Sequence, residues 1–159
     1  MNQSRSPILR WILTGCTIVL TLWIVVASVL YWIYGTNTHH SNRNTIWWTE
    51  RGRGLIPPNA TDITLQQDFL DHYATYKVKE KDLNRFLNER FARDGEVLDS
   101  FRDERSPISK DQIGKPLGRL QWKVPEGTVV YGYSASNGGM HYYYHDPESG
   151  QTYQESAYW

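Results

Sequence analysis

His141 and His145 stand four residues apart, a spacing that carries two imidazoles to one metal ion when the backbone is helical. The run between them, Tyr142-Tyr143-Tyr144, favours a strand. Four residues of strand span about 13 Å, too far for one ion held about 2 Å from each nitrogen. His39-His40 are adjacent in a polar stretch and would bind a metal only adventitiously, and His72 is isolated. No metal and no cofactor is expected. Nucleophilic catalysis fares no better, because there is no G-x-S-x-G elbow and the one cysteine, Cys16, lies in an apolar run. Carboxylates gather at Asp62, Asp68 and Asp71 and again at Asp82, Glu89 and Asp94. Paired acids hydrolyse glycosidic bonds, which keeps a hydrolase as an alternative, but these read as a solvated face. Gly138-Gly139 precedes a strand pattern and not a helix, so it makes no phosphate-binding loop.

Aromatic side chains are the remaining chemistry. Tyr131, Tyr133, Tyr142, Tyr143, Tyr144, Tyr153, Tyr158 and Trp159 crowd the last third of the chain. On a strand alternate residues face opposite ways, so Tyr143 must point away from Tyr142 and Tyr144. One set enters a core against Leu83, Phe86 and Leu87. The other lies on an outer face, where amphipathic rings mark a surface for protein or glycan. Periodicity does not say which set faces out.

The elements that would position these rings follow an anchor. Residues Trp11 to Tyr34 run 24 positions without a charge. As a helix they span about 36 Å, enough to cross the roughly 30 Å hydrocarbon core of a bilayer with some tilt. Trp11 at one end and Tyr31, Trp32 and Tyr34 at the other place rings at the headgroup level. Val25 and Ala27 give a weak cleavage pattern, yet the apolar run outlasts the 7–15 residues typical of a signal peptide, so an uncleaved signal-anchor fits better. Leu13-Thr14-Gly15-Cys16 imitates a lipobox, but most of the apolar run follows the cysteine instead of preceding it. Arg5 and Arg10 near the helix favour a cytoplasmic N-terminus and an extracytoplasmic C-terminal domain. Thr14, Thr17, Thr21 and Ser28 share a helical stripe that suits a homodimerising seam. The competing expectation, which we favour, is that each hydroxyl bonds a carbonyl of its own preceding turn.

Behind a ten-residue N-terminus and the 11–34 helix, residues 35–54 are expected as a juxtamembrane linker. Trp47-Trp48 within it is expected to dock on the domain, with rest at the lipid interface as the alternative. Residues 55–159 form one domain. Two strands, 62–67 and 71–78, precede a helix over 80–92, whose Leu83, Phe86, Leu87 and Phe91 share one face. Glu80 and Asp82 suit its first turn, Arg90 and Arg93 its last, and Gly95 its end. An irregular crossing segment, 96–117, follows, with Val97, Leu98 and Phe101 packing locally. Residues 118–124 are a further strand candidate. Strands 128–134, 140–145 and 152–158 form an antiparallel meander, joined at Asn137-Gly138-Gly139 and at the Asp146-Pro147-Glu148-Ser149-Gly150 turn. The expected class is α+β: a small antiparallel sheet with one main helix packed on one face.

All 17 acidic residues follow the apolar run, against 15 of the 17 basic ones, so the domain is weakly acidic. That argues against nucleic acid as a partner and offers no polybasic patch for lipid. With the single cysteine in the anchor, the domain holds no internal disulfide. Asn59-Ala60-Thr61 matches a glycosylation acceptor that matters only in a eukaryotic secretory pathway.

The stretch Pro57-Pro58-Asn59-Ala60-Thr61-Asp62-Ile63, the Lys81-Asp82-Leu83 to Phe86-Leu87 helix and the Asp146 to Tyr153 hairpin together resemble small membrane-anchored bacterial domains of unassigned function. The resemblance covers residues 55–159 and brings no catalytic residue with it. The expected function is therefore a single-pass membrane protein presenting a non-catalytic interaction or accessory domain, with the bilayer and another membrane or envelope protein or glycan as partners. A sensor or assembly subunit coupled through its transmembrane helix is the remaining alternative.

Overall fold

A computed structural model describes residues 7–35, 37–48, 50–68, 71–93, 103–134 and 138–157. It divides into two compact units, 1–36 and 37–159. The first is α1, Pro7–Gly35. Its residues Leu9–Leu30 are long and apolar enough to cross a membrane, and none of the most apolar window is buried. Trp11 is exposed, and Tyr31, Trp32 and Tyr34 belong to the helix by backbone while their side chains lie outside the description. The hydroxyls of Thr14, Thr17 and Thr21 donate to the carbonyls of Arg10, Leu13 and Thr17 at 2.8–2.9 Å. Those bonds hold each hydroxyl to its own helix.

The second unit is a seven-stranded antiparallel sheet with α2, Glu80–Arg93, on one face. Its strands in chain order are β1 Thr38–Asn42, β2 Thr61–Gln67, β3 His72–Lys77, β4 Asp103–Pro107, β7 Val129–Ser134, β8 Met140–His145 and β9 Gln151–Ala157. A separate two-stranded ribbon pairs β5, Pro116–Leu117, with β6, Trp122–Lys123. The spatial order is β1-β2-β3-β9-β8-β7-β4. The α+β class and the β7-β8-β9 meander stand as expected, and the sheet is larger than the small one anticipated.

Two additions account for the difference. Residues 38–42, expected within a linker, pair with β2 from Thr38↔Leu65 to Asn42↔Thr61. Thr-His-His-Ser-Asn carries no hydrophobic alternation because an edge strand this exposed has no core face to fill. Residues 103–107, expected to be irregular, pair with β7 as the other edge. Charged residues and a proline suit an edge, where half the backbone groups need no ladder partner. Of the 118–124 strand candidate only Trp122–Lys123 is strand. The expected positions of Asp94, Gly95, Val97, Leu98, Phe101, Tyr158 and Trp159 lie outside the described residues.

The core lies between α2 and the sheet. Leu83, Phe86 and Leu87 meet Leu65, Ala74, Tyr76, Tyr131, Tyr133 and Tyr143, with Phe91 packed against the same cluster. Phe91 stacks on Tyr133 at a centroid distance of 3.9 Å and meets Tyr143 edge-on at 6.4 Å. The phenol of Tyr143 donates to the Leu55 carbonyl at 3.1 Å, tying the loop before β2 to the centre of the sheet.

Candidate functional site

Pairing register decides which tyrosines face out. Residues opposite one another in an antiparallel ladder share a face. One row across the sheet reads Tyr73 (β3), Glu155 (β9), Tyr142 (β8) and Gly132 (β7). The next reads Thr75, Tyr153, Tyr144 and Val130. Both rows lie opposite the α2 face, to which Tyr131, Tyr133 and Tyr143 belong. The six tyrosines singled out from sequence are therefore split between faces. Tyr131, Tyr133 and Tyr143 are buried in the core, whereas Tyr142, Tyr144 and Tyr153 are brought together on the outer face.

The β5–β6 ribbon covers part of that face. Trp122 stacks parallel on Tyr153 at 6.1 Å, which leaves Tyr153 fully buried. The Arg119 guanidinium lies 5.1 Å above the Tyr73 ring and pairs with Asp68. Tyr142 and Tyr144 stay half-buried, as does Glu155 between Tyr73 and Tyr142. The rings of Tyr142 and Tyr144 are 6.3 Å apart, and those of Tyr144 and Tyr153 6.0 Å. Such spacings are those of interacting aromatic pairs.

The electrostatics follow from partial burial beside carboxylates. Burial, and then the charge of Asp71, raise the Glu155 pKa above the usual carboxylate range. Burial, then Glu155, then Tyr142 push Tyr144 up to about 12. Tyr73 also rises to about 12, through burial first and then Asp71, whose carboxylate accepts its phenol proton at 3.2 Å. The phenols thus stay neutral near pH 7 and serve as both donors and acceptors. Flat rings flanking a carboxylate can stack on the C–H face of a sugar while the carboxylate accepts from its hydroxyls.

Glu155 and the Arg119–Trp122 ribbon were missed in the sequence. Glu155 was legible in principle, lying two residues beyond Tyr153 and hence on its face. Strand β6 of the ribbon falls within the 118–124 strand candidate, but its stacking on the outer face gave no signal, since a contact across a loop leaves no periodicity. The histidines do not meet as a ligand pair. His141 and His145 face the core with Tyr143 between them, and His145 Nδ1 is hydrogen-bonded to Thr152 Oγ1 at 2.9 Å. His39 bonds Thr64 and His40 bonds Thr38, each at 3.0 Å. Among the described residues no group of three His, Cys, Asp or Glu side chains is placed to hold a metal. A cleft of about 620 Å³ lies at the β8–β9 turn, lined by Lys77, Lys79, Glu80, Asp82 and the 147–150 turn. Its lining sets Lys77 and Lys79 against Glu80, Asp82 and Glu148, and Lys77 is paired with Asp62 at 3.3 Å.

Comparison with protein-family models, with curated proteins and with solved structures returns no match to this chain.

Proposed function

We propose that this is a single-pass membrane-anchored binding module. Its α1 helix sits in the bilayer with the N-terminus in the cytoplasm, and the sheet domain lies outside it. The outer-face cluster of Tyr142, Tyr144 and Glu155 engages a partner without transforming it, and an envelope glycan suits that chemistry best. One observation carries the reading: the partly exposed rings of Tyr142 and Tyr144 on β8 lie beside the partly exposed Glu155 of β9, on a face where the ribbon already stacks on Tyr153 and caps Tyr73. Soluble envelope-glycan fragments titrated into the full-length protein in nanodiscs should bind the wild type. They should bind the Tyr142→Ala/Tyr144→Ala variant at least about tenfold more weakly, a loss of about 1.4 kcal/mol. Equal affinities with an unchanged melting temperature would remove the outer face from the function. Paired reporters fused after Trp159, one active only outside the cytoplasm and one only inside, test the topology.

A hydrolase is the second reading, favoured by the raised pKa of Glu155, which burial first and then Asp71 produce. Fragments recovered uncleaved from the wild type eliminate it. Cleavage that disappears in Glu155→Gln would replace the binding reading.

A further inference from the structure

Trp47 and Trp48 do not dock on the domain, as the sequence led us to expect; they are 65% and 75% exposed, while the neighbouring Ile46 is 1% exposed. The loop that carries them is nevertheless held firmly. The Trp47 N–H donates to one oxygen of Glu50 at 3.3 Å, and the other oxygen accepts from the Gln67 side chain at 3.3 Å. The side-chain amide oxygen of Gln67, Oε1, accepts from the Gly52 N–H at 3.0 Å. Gln67 ends β2, two positions beyond Leu65, whose ladder partner Thr38 opens β1. These bonds fold the Trp47–Trp48 loop back to the end of the sheet at which the chain arrives from α1.

Only residues 36 and 37 separate α1 from β1. At about 3.3–3.6 Å per extended residue, the three steps from Gly35 to Thr38 reach no more than about 11 Å. With α1 in a bilayer, a tether of that length keeps the start of β1 within about 11 Å of the end of α1, near the headgroup layer, which extends about 6 Å beyond the hydrocarbon. Indole rings favour that layer over water.

We propose that Trp47 and Trp48 seat in the headgroup layer of the same bilayer that holds α1. The pair is then a second membrane contact that fixes the near end of the sheet at the lipid surface. This rests on the membrane-anchor reading, and the test separates the two. Three forms of the full-length protein are reconstituted in phosphatidylcholine–phosphatidylglycerol vesicles. The wild type carries a solvatochromic probe on Cys16. Two others, in a Cys16→Ser background, carry it at Trp48→Cys or at Lys110→Cys. Lys110 is exposed and near Ile108, whose N–H bonds Thr128 just before β7, at the far end of the sheet. Lipids with quenchers near the headgroup or at the bilayer centre read depth.

The expected result is centre quenching at Cys16, headgroup quenching with a blue shift at residue 48, and neither at residue 110. Quenching at Cys16 with an unquenched, water-like probe at 48 overturns the second contact and leaves the anchor standing. A blue-shifted but unquenched probe at 48 means that protein covers the pair, and it overturns the proposal equally. An unquenched Cys16 removes the anchor and the proposal together.

Discussion

The Tyr153 phenol occupies the space in which a side chain at residue 118 would begin: a Cβ on Gly118 would lie 2.6 Å from Tyr153 Cζ. Gly118 also has a positive φ of 54°. The ribbon lies this close to the sheet because its turn carries no side chain there. Gly118→Ala should cost about 1–2 kcal/mol through the left-handed backbone alone, and more through the collision. In a Tyr153→Ala background the collision disappears and only the backbone cost remains. Thermal melts of the four proteins in this cycle check the coupling, and strictly additive costs would contradict the close packing.

Tyr142 and Tyr143 are neighbours in sequence and should respond oppositely to the same change. Tyr143 is 0% exposed and hydrogen-bonded to Leu55, so Tyr143→Phe leaves that carbonyl without its donor and should cost about 1–2 kcal/mol. Tyr143→Ala should cost about 3–5 kcal/mol and threaten folding. Tyr142→Phe, on the half-exposed outer face, should change stability by less than about 0.5 kcal/mol. Denaturant midpoints compare them directly. A Tyr142 variant as damaging as its Tyr143 counterpart would mean that the register is shifted by one residue.

His141 predicts how the domain responds to acid. Burial first, then the charges of Arg90 and His72, lower its pKa to about 4. Phe91 covers it from α2 at a ring distance of 5.6 Å. Since the folded value lies below the unfolded one, the unfolded chain takes up the proton first. Stability is therefore full above about pH 6.5 and falls as the pH drops toward 4, by up to about 3 kcal/mol. Melting temperatures across that window should decline in the wild type. His141→Gln should flatten the profile, and an unchanged slope would assign the acid response elsewhere.

The β8–β9 turn depends on Asp146. Its carboxylate accepts from the Glu148 N–H at 3.0 Å and from the Ser149 hydroxyl, and Gly150 completes the turn at a φ of 71°. Asp146→Ala should destabilise the domain by about 1–2 kcal/mol while leaving the outer-face rings in place. Asp146→Asn, which keeps one acceptor, should recover part of that loss. Equal losses in the two variants would show that charge, and not hydrogen bonding, holds the turn.

Short-range patterns in the sequence were enough to define the 24-residue uncharged run, the 80–92 amphipathic helix and the turns of the meander, because each depends on neighbours within a few positions. Period-two alternation also required that the tyrosines of β8 divide between two faces. Which face is buried was decided by tertiary structure alone, since it depends on α2 covering Tyr131, Tyr133 and Tyr143 while a distant ribbon stacks on Tyr153. The edge strands β1 and β4 escaped detection for a related reason. A strand with neither a hydrophobic stripe nor a tight turn is specified by its partner's backbone, and a register that sets Thr38 opposite Leu65 or Pro107 opposite Val129 leaves no trace in local composition. The same folding of 38–52 onto the sheet left Trp47 and Trp48 exposed, an outcome set by the Glu50–Gln67 contact 17 residues apart and by no property of the two tryptophans themselves.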